Sequence, residues 1–478
     1  MTDELALAFN GVNGATGQYL LGRLHATDLS SIAQGEQLND RHRRELRLWW
    51  ERVSVDHLGP MEGIDPDDLA DAGWGVIFPS ESDPRIKHAL RPLLDLRRGQ
   101  AGARDPRRFR VLEGPNGVRP GESKTSFLAR HGVGFGPADP ERMSYYLLLV
   151  GSPVDIPYRF QYELDVTYAV GRLYFENLES YTNYAQSVVD AETQLPPRRM
   201  QATFIGVRNP TDRATHLSAD YLVTPLEAAL ATQRTDWTFD LKIADQATKA
   251  EVSGVLGGTE TPALLFTASH GVGFPAMHPR QLADQGALLC QDWPGPEGWK
   301  GPISPAFYFG ADDVSDTADL RGLIAIFFAC YAAGTPQFDD FAHHALRRPT
   351  AIAPHAFVGR LPQRLLSHPA GGALAVLGHV DRAWGYSFLW PGAGAQLTTF
   401  QSMVLRLLGG HRVGFATEYL GQRYAELSTA LNAELEDVKW GKHADDLQLA
   451  GMWTANNDAR GYVVIGDPAV HLMPQPSD

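Results

Sequence analysis

The chain has 478 residues, of which 44% are hydrophobic and 21% are charged. This composition is ordinary for a globular protein and excludes a chain that is disordered throughout. The length predicts about two to four domains, or one large domain with a satellite. With 42 Lys and Arg against 56 Asp and Glu, the net charge is −14. Such an acidic chain is a poor candidate for a general nucleic-acid binder, because phosphate contacts need a basic surface.

Trp74–Phe78 is a strand-like run in the first part of the chain, and Asp83–Arg98 has the apolar spacing of a helix. Residues 97–126 are rich in Arg, Gly and Pro and are predicted to form a loop. We assign residues 1–140 to an N-terminal α/β sublobe that contains this Arg-rich loop. Residues 141–478 are predicted to form a second, larger domain.

Short apolar runs bounded by turns continue through the larger domain. The predicted strands are Met143–Val150, Asp165–Leu173, Ala202–Val207, Ala263–Ala268, Leu323–Ala329, Ala373–Leu377 and Gly461–Ile465. Helices are predicted between several of them, including residues 225–233 and 396–408. This alternation predicts an α/β fold in which helices flank a mostly parallel central sheet.

The cysteine count and the apolar runs indicate the compartment. Cys290 and Cys330 are the only cysteines, which excludes a disulfide framework and a zinc site made of thiolates alone. The N-terminal residues lack the basic region of a secretory signal. The longest uncharged apolar run, Gly322–Gly334, is too short to cross a bilayer. We therefore expect a cytoplasmic protein without membrane contact.

Two of the predicted strands lead directly to reactive side chains. Ala263–Ala268 is followed closely by His270 and Gly271, and Leu323–Ala329 is followed by Cys330. Functional groups in parallel sheets collect beyond the carboxyl ends of strands, and sequential strands are often neighbours. A histidine beside a thiol can act as its base, and the amides of Gly271 and Cys330 can stabilise an oxyanion. The alternative is that Cys330 is a buried packing residue, as most cysteines are.

The order strand-His-Gly followed by strand-Ala-Cys resembles the caspase-type clan of cysteine peptidases, and within it the gingipain-like peptidases. Tyr145–Pro157 resembles the strand and turn that open the gingipain catalytic lobe. Asp165–Phe175 with Glu176–Glu192 resembles the strand, Gly-Arg turn and long helix of that family. Ile465–Pro468 (IGDP) resembles a Gly-Asp-Pro near the end of such domains. Together these stretches cover about two thirds of the chain.

The resemblance implies a caspase/gingipain-like sandwich in which His270 is the general base or acid and Cys330 is the nucleophile. Gly271 and Cys330 would supply the oxyanion amides. Proteins or peptides would be the substrates, and no cofactor and no metal are expected. The chain departs from the family in its long His-to-Cys spacing, with an insertion at Asp292–Pro305, and in its lack of a secretory signal. We therefore expect an intracellular cysteine endopeptidase.

Gingipains carry an acidic residue that selects a basic side chain before the scissile bond. By position Asp165 matches best, with Glu163 beside it. Asp381 is a second candidate, and Trp384 would line the specificity pocket beside it. We therefore expect cleavage after Arg, then Lys. For each acid the alternative is a surface or capping carboxylate.

Activation and biological role are predicted from the same resemblance. The Arg-rich stretch Arg97–Arg110 would be a site of self-processing in a zymogen, or of cleavage by an upstream protease. Bacterial intracellular relatives of caspases predict a role in defence or regulated death. The alternative function is a catalytically idle scaffold of the same fold that binds protein partners.

A short sequence motif occurs once in each of the two predicted lobes. Arg130–Phe135 reads RHGVGF and Ser269–Phe274 reads SHGVGF. The N-terminal sublobe could be a related inactive copy, with His131 as the inactive counterpart of His270. The alternative is chance or a shared loop geometry.

A glycine pattern near the N-terminus invites a dinucleotide interpretation. Gly11, Gly14 and Gly17 follow the predicted strand Glu4–Asn10, and Gly-rich loops between strand and helix bind pyrophosphate. The ribose contact needs a second strand ending in an acid, and no clear one follows. We therefore interpret the glycines as a structural turn.

Two further patterns are weaker. Asp339, Asp340, His343 and His344 have a spacing that could seat a metal ion on a helix. A solvated helix face is the simpler interpretation. Cys290 has no adjacent His-Gly partner and is interpreted as a packing residue.

Overall fold

Ten strands form the central sheet of the protein, for which a computed structural model describes residues 59–194, 198–258, 261–339, 341, 350–390, 393–443 and 445–473. In chain order the strands are β1 (Trp74–Ile77), β2 (Phe109–Leu112), β3 (Tyr146–Val150), β4 (Ala169–Leu173), β5 (Gln201–Gly206), β6 (Thr238–Ile243), β7 (Leu264–Ala268), β8 (Ile324–Phe328), β9 (Ala375–His379) and β10 (Tyr462–Gly466). Their spatial order is β2-β1-β3-β4-β10-β9-β8-β7-β5-β6.

The sheet consists of two parallel halves that run in opposite directions. One half contains β2, β1, β3, β4 and β10, and the other contains β9, β8, β7, β5 and β6. The antiparallel pair β9–β10 joins them. The carboxyl ends of β5, β7, β8 and β9 therefore share one edge with the amino ends of β4 and β10. The mostly parallel sheet expected from the sequence is confirmed.

Helices pack around this sheet. They are α1 (Leu69–Ala72), α2 (Pro84–Ala89), α3 (Arg91–Ala101), α4 (Lys124–Arg130), α5 (Tyr158–Leu164), α6 (Leu178–Thr193), α7 (Arg213–Ser218), α8 (Thr224–Gln233), α9 (Lys249–Val255), α10 (Gln281–Asp284), α11 (Gly295–Gly298), α12 (Arg360–Leu366), α13 (Thr398–Leu408), α14 (Val413–Ala416), α15 (Glu418–Lys439) and α16 (Asp446–Arg460). Every residue of β3, β4, β7 and β8 is buried. Burial on both faces explains why these strands are almost continuously apolar.

The Arg-rich segment 97–126 has regular structure, which corrects the expectation of a loop. It contains the end of α3, the sheet strand β2 and the start of α4. Arg97 is fully buried, with Nε 2.6 Å from Asp467 Oδ2 and Nη2 2.7 Å from Glu192 Oε1. The expected domain boundary at residue 140 falls between strands of one sheet, since β1 pairs with β2 and also, across the boundary, with β3.

The two HGVGF motifs lie in different local structures. Arg130 ends α4, and the His131 ring nitrogen Nε2 lies 3.0 Å from the carbonyl oxygen of Asn116. His270 instead follows a buried strand of the sheet. The repeated motif therefore does not reflect a shared loop geometry, and His131 is not a structural counterpart of His270.

Some predictions concern residues outside the described ranges. These are the strand Glu4–Asn10, the glycines at 11, 14 and 17, and three members of the predicted metal cluster, Asp340, His343 and His344. In the part of the chain that the structure describes, no helix is long and apolar enough to span a bilayer.

Candidate active site

His270 and Cys330 follow the carboxyl ends of two paired strands. β7 and β8 are parallel neighbours, with Ala268 opposite Phe328. The Ser269 amide also donates a hydrogen bond of 3.2 Å to the carbonyl oxygen of Phe328. The histidine and the cysteine therefore leave the sheet side by side, because their strands are in register up to the last pair.

Gly271 packs directly on the backbone of Cys330. A Cβ atom at Gly271 would overlap the Cys330 carbonyl oxygen and would lie 2.8 Å from the carbonyl carbon. Contacts this close to backbone atoms leave no room for a side chain. Glycine at this position thus allows the two loops to touch.

The backbone amides of Gly271 and Cys330 are the oxyanion donors expected from the sequence. Within the described residues, neither backbone N–H has a hydrogen-bond partner. Two free amides on adjoining loops are the arrangement that stabilises an oxyanion in acyl-transfer enzymes. This geometry is consistent with the oxyanion role expected from the sequence.

Asp212 binds the Nε2 nitrogen of the His270 ring. Its Oδ2 lies 2.7 Å from His270 Nε2. Asp212 is the N-cap of α7 and also accepts hydrogen bonds from the Ala214 amide and the Thr215 hydroxyl, at 3.3 and 2.8 Å. These bonds fix the carboxylate. Since Asp212 accepts at Nε2, the Nδ1 nitrogen of His270 keeps its lone pair for another proton.

The environment keeps Asp212 ionised. Burial opposes ionisation, but the hydrogen bond and charge of His270 and the bond from Thr215 outweigh it, so the pKa of Asp212 lies below its ordinary value. An ionised carboxylate that accepts from a ring nitrogen can fix the orientation of an imidazole.

Cys330 is a partly exposed residue, and its thiol points toward a carbonyl. Its Sγ donates a hydrogen bond of 3.8 Å to the backbone oxygen of Ala383. Burial raises the pKa of Cys330, and the nearby Asp381 adds to this effect. The resting group is therefore a thiol that needs a base to become a nucleophile.

A cavity of about 290 Å³ opens beside these two side chains, and we call it the His–Cys cavity. It is lined by Ala214, Thr215, Leu217, Ser218, Ser269, His270, Phe328, Cys330, Arg382, Ala383, Trp384, Gly385 and Phe388. Most of this lining is apolar. The described lining residues include two with basic side chains, His270 and Arg382, and no carboxylate.

Backbone strain lies next to the cysteine. Tyr331 and Asp381 have φ angles of 59° and 74°, which non-glycine residues rarely adopt. The two are joined, since the Tyr331 amide donates a 2.7 Å hydrogen bond to the Asp381 carbonyl oxygen. Strained residues persist where the surrounding structure fixes them, and they cluster at functional sites.

Asp381 and Trp384, the second candidate pair for the specificity pocket, follow β9 on the chain. Trp384 lines the His–Cys cavity and a smaller adjoining cavity, the Asp381 cavity, which also contains Asp381, Arg382, Tyr162 and Arg460. Burial raises the pKa of Asp381. Its Oδ1 has no hydrogen-bond partner among the described residues, although Arg382 Nη1 lies 3.5 Å away.

Asp165 and Glu163 do not line the His–Cys cavity. Asp165 is the C-cap of α5 and lines a different cavity, beneath α15. Burial raises its pKa well above the ordinary value. Glu163 pairs with Arg159 one helical turn away, with Arg159 Nε 2.8 Å from Glu163 Oε1.

Two charged residues of the site were missed from the sequence. Asp212 precedes His270 by 58 residues. Arg382 lies directly after Asp381 and makes two hydrogen bonds to Asp339, of 3.1 and 2.9 Å. This pair uses Asp339, one member of the predicted metal cluster. Among the described residues, no group of three or more metal-ligating side chains is suitable for a metal ion.

No protein-family model matches this sequence, and no curated protein sequence matches it. Matches are found among solved structures. The structure described as the Arg-specific cysteine proteinase gingipain R has a TM-score of 0.50 at 14% identity, over 87% of this chain and 80% of that chain. The complex of the pro- and mature domains of Porphyromonas gingivalis RgpB has a TM-score of 0.47 at 13% identity, over 84% and 80%. The Saccharomyces cerevisiae separase–securin complex has a TM-score of 0.33 at 11% identity, over 68% of this chain and 15% of the matched chain.

The comparison with gingipain R defines the class of fold. The described chain has a mixed α/β fold that is similar to the fold of this cysteine proteinase. The resemblance inferred from the sequence is thereby confirmed for the fold.

Proposed function

We propose that this protein is a cysteine endopeptidase in which Cys330 is the nucleophile, His270 is the general base and Asp212 orients the imidazole. One observation carries the proposal. Strand pairing brings His270 and Cys330 to one cavity, while Asp212 holds the opposite ring nitrogen at 2.7 Å. The gingipain-like fold supports the same reaction class.

The geometry supports acylation in the following way. His270 Nδ1 takes the proton of the Cys330 thiol as the sulfur attacks the carbonyl carbon of the scissile peptide bond. The developing oxyanion accepts hydrogen bonds from the amides of Gly271 and Cys330. The C–N bond then breaks, and His270 returns the proton to the leaving amine. The product is a thioester on Cys330.

Deacylation uses the same groups. His270 removes a proton from a water molecule, and the resulting hydroxyl attacks the thioester carbonyl. The C–S bond breaks, the sulfur recovers a proton from His270, and the carboxylic acid product leaves. Asp212 stays ionised throughout and stabilises the imidazolium that forms in each half-reaction.

The substrate preference that we propose is Arg, then Lys, before the scissile bond. Asp381 is the carboxylate that supports this preference best. It is partly buried beside Trp384, with a side chain that is 15% exposed. Among the described residues, its Oδ1 has no hydrogen-bond partner. A largely buried carboxylate with a free acceptor favours a cationic partner. Asp165 remains a second candidate, in a cavity that does not include Cys330.

Arg382 suggests the opposite specificity, for an acidic side chain before the scissile bond. It lines the His–Cys cavity itself, and a guanidinium there would favour an acidic side chain. Asp339 already neutralises this guanidinium with two hydrogen bonds. We therefore favour Asp381 as the selecting residue.

A panel of fluorogenic peptides tests the preference. Asp381→Asn should lower kcat/KM for Arg substrates about 10- to 100-fold, the value of one hydrogen bond to a charged group. Asp165→Asn is the matched comparison and should change it less. Cleavage after Asp but not Arg, lost in Arg382→Gln, would overturn the preference and assign the pocket to Arg382.

The peptidase proposal itself is tested against the idle-scaffold alternative. Cys330→Ala and His270→Ala should each abolish peptide cleavage. Cys290→Ala and His131→Ala, which change a buried thiol and a remote imidazole, should leave it intact. No cleavage in any preparation, with partner binding retained, would favour the scaffold.

Self-processing in the Arg-rich segment is a further part of the proposal, and Arg104 is the best candidate within it. It lies in the turn between α3 and β2, with a side chain that is 67% exposed. Arg97, by contrast, is buried. Replacing Arg104 with Gln should abolish a cut at this turn. A fully active preparation that remains one full-length band would contradict self-processing. A cytoplasmic location and a role in bacterial defence or regulated death remain predictions from the family resemblance.

A further inference from the structure

The segment Gln285–Leu289 lies between the two loops that carry the reactive residues. We call this segment the brace, residues 269–274 the His loop and residues 329–335 the Cys loop. Three backbone hydrogen bonds of 2.9 Å join the brace to the His loop, and they are Val272 N to Ala287 O, Gly286 N to Val272 O, and Leu289 N to His270 O. The brace therefore holds the backbone of His270 directly.

The same segment contacts the Cys loop. Gly286 has a φ of 84°, and a Cβ atom there would overlap the carbonyl oxygen of Tyr331, the residue after Cys330. No other residue type fits this contact without displacing the Cys loop. The brace thus touches the residues next to both reactive groups.

One buried side chain joins the two loops by hydrogen bonds. Gln285 Oε1 accepts from the Phe274 amide of the His loop at 3.0 Å. Its Nε2 donates to the Thr335 hydroxyl of the Cys loop at 2.9 Å. Gln285 is 5% exposed and Thr335 is fully buried. Because water does not reach these groups, losing the amide leaves both partners unsatisfied.

A second amide fixes the orientation of the first. Gln281 Nε2 lies 3.3 Å from Gln285 Oε1 and also donates to the carbonyl oxygens of Phe274 and Ile352, at 3.1 and 2.7 Å. A buried amide held by a donor on one side and an acceptor on the other has one allowed orientation. The Gln285 amide therefore joins Phe274 of the His loop to Thr335 of the Cys loop in one fixed geometry.

We propose that Gln285 is a positioning residue that sets the separation of the His270 imidazole and the Cys330 thiol. This inference rests on the proposed cysteine-dependent chemistry, because it concerns how the two reactive groups of that mechanism are aligned. Gln285 itself does not touch the substrate.

The first experiment uses Gln285→Met, which keeps the side-chain length and removes both hydrogen bonds. The expected result is a fall in kcat of about 10- to 100-fold with KM within about twofold, since alignment affects the transition state and not substrate binding. Thr335→Val removes the Cys-loop bond alone and should reproduce part of the loss. Combining the two should be less than additive, because they break the same connection.

Gln161→Met is the matched control. Gln161 is also a fully buried amide, and its Oε1 accepts a 2.8 Å hydrogen bond from Arg172. Neither Gln161 nor Arg172 lines the His–Cys cavity. A loss of kcat in this control equal to that in Gln285→Met would overturn the proposal, because it would reflect general destabilisation.

A second readout is independent of peptide cleavage. Iodoacetamide alkylation of Cys330 is measured in a Cys290→Ala background at about pH 7, where the thiol needs its base, and at about pH 9.5, where more thiolate forms unaided. The ratio of the two rates should fall in Gln285→Met toward the value of His270→Ala, and stay unchanged in Gln161→Met. An unchanged ratio and kcat in Gln285→Met overturns the positioning role and leaves the peptidase proposal standing. The wild type could also prove to have no peptidase activity, with a ratio that depends on His270 and falls in Gln285→Met. That outcome supports the positioning role, while the peptidase proposal fails.

Discussion

His270 Nε2 lies 2.7 Å from Asp212 Oδ2, a carboxylate held at the N-terminus of α7. The carboxylate is fixed by the Thr215 hydroxyl on the same helix. It accepts at one ring nitrogen and leaves the other for proton transfer. Three separate strand ends, those of β5, β7 and β8, therefore supply the acid, the imidazole and the thiol of the site.

The relationship predicts the effect of neutralising the acid. Asp212→Asn removes the charge that stabilises the imidazolium, and should lower kcat about 10- to 100-fold with little change in KM. The pKa of Asp212 lies below its ordinary value, so Asp212 should remain ionised throughout the neutral pH range. Asp220→Asn is the control, since Asp220 pairs with Arg208 and does not contact His270. Equal kcat values for the Asp212 variant and the wild type would exclude an orienting role.

The positions of His270 and Cys330 after strands of the sheet were predictable, because the local sequence pattern is enough to identify those strands. Each follows a short apolar run that ends at a turn, and buried parallel strands have that pattern. The fold class followed from the same runs. Asp212 was not predictable in this way. Its sequence, NPTDRAT, reads as an ordinary helix cap.

The loop after β5 hid the role of Asp212. The strand β6 (Thr238–Ile243) was not predicted, but it lies at the sheet edge and leaves β5 paired with β7. That pairing agrees with the consecutive order of the two predicted strands. Asp212 lies beyond the end of β5, as the N-cap of α7. The path that returns its carboxylate to the His270 ring is a tertiary property, and the hydrophobic pattern does not encode it.

The placement of Asp165 shows a second limit. The run Asp165–Leu173 was predicted as one strand, but β4 begins at Ala169 and Asp165 caps α5. α5 is short and buried on several sides, so it lacks the amphipathic pattern by which helices are detected. The shift places the carboxylate in a cavity beneath α15 rather than in the His–Cys cavity.

Gly271 is predicted to be intolerant of the smallest side chain. Gly271→Ala would place a methyl group into the Cys330 carbonyl oxygen, so the two loops must separate and the pair of amides is disrupted. We expect kcat to fall at least about 100-fold, as for the loss of one oxyanion donor. Gly273→Ala is the control, because its Cβ would lie 3.6 Å from Tyr331 Cε2, an ordinary contact. Comparable kcat values for the two alanine variants would contradict the close packing of the loops.

The two cysteines should differ sharply in reactivity. Burial raises the pKa of Cys290 to about 12, and its Sγ donates a 3.3 Å hydrogen bond to the carbonyl oxygen of Leu288. Cys330 is partly exposed beside His270. Iodoacetamide near neutral pH should therefore label Cys330 in the folded protein, and label both residues in urea. Mass spectrometry identifies the labelled peptide, and native labelling of Cys290 at a similar rate would refute the assignment.

The buried ion cluster around Arg97 predicts how stability depends on pH. Burial opposes ionisation of Glu192, but the charge of Arg97 outweighs it and lowers the pKa of Glu192 from 4.5 to about 2. A carboxyl whose pKa is depressed on folding stabilises the native state above its unfolded pKa, and this contribution is lost as pH falls toward the folded value. The loss between about pH 5 and pH 2 should be on the order of 3 kcal/mol.

Urea unfolding across that range measures this contribution. Glu192→Gln should be less stable than the wild type near pH 7, and the difference between them should shrink as pH falls, because the wild-type carboxyl becomes protonated. Glu113→Gln is the control, since Glu113 pairs with Lys87 at the surface with a side chain that is 45% exposed. Its effect on the free energy of unfolding should stay below about 1 kcal/mol at every pH. A wild-type advantage over Glu192→Gln that is constant from pH 7 to pH 2 would show that Glu192 is not stabilised as a carboxylate by Arg97.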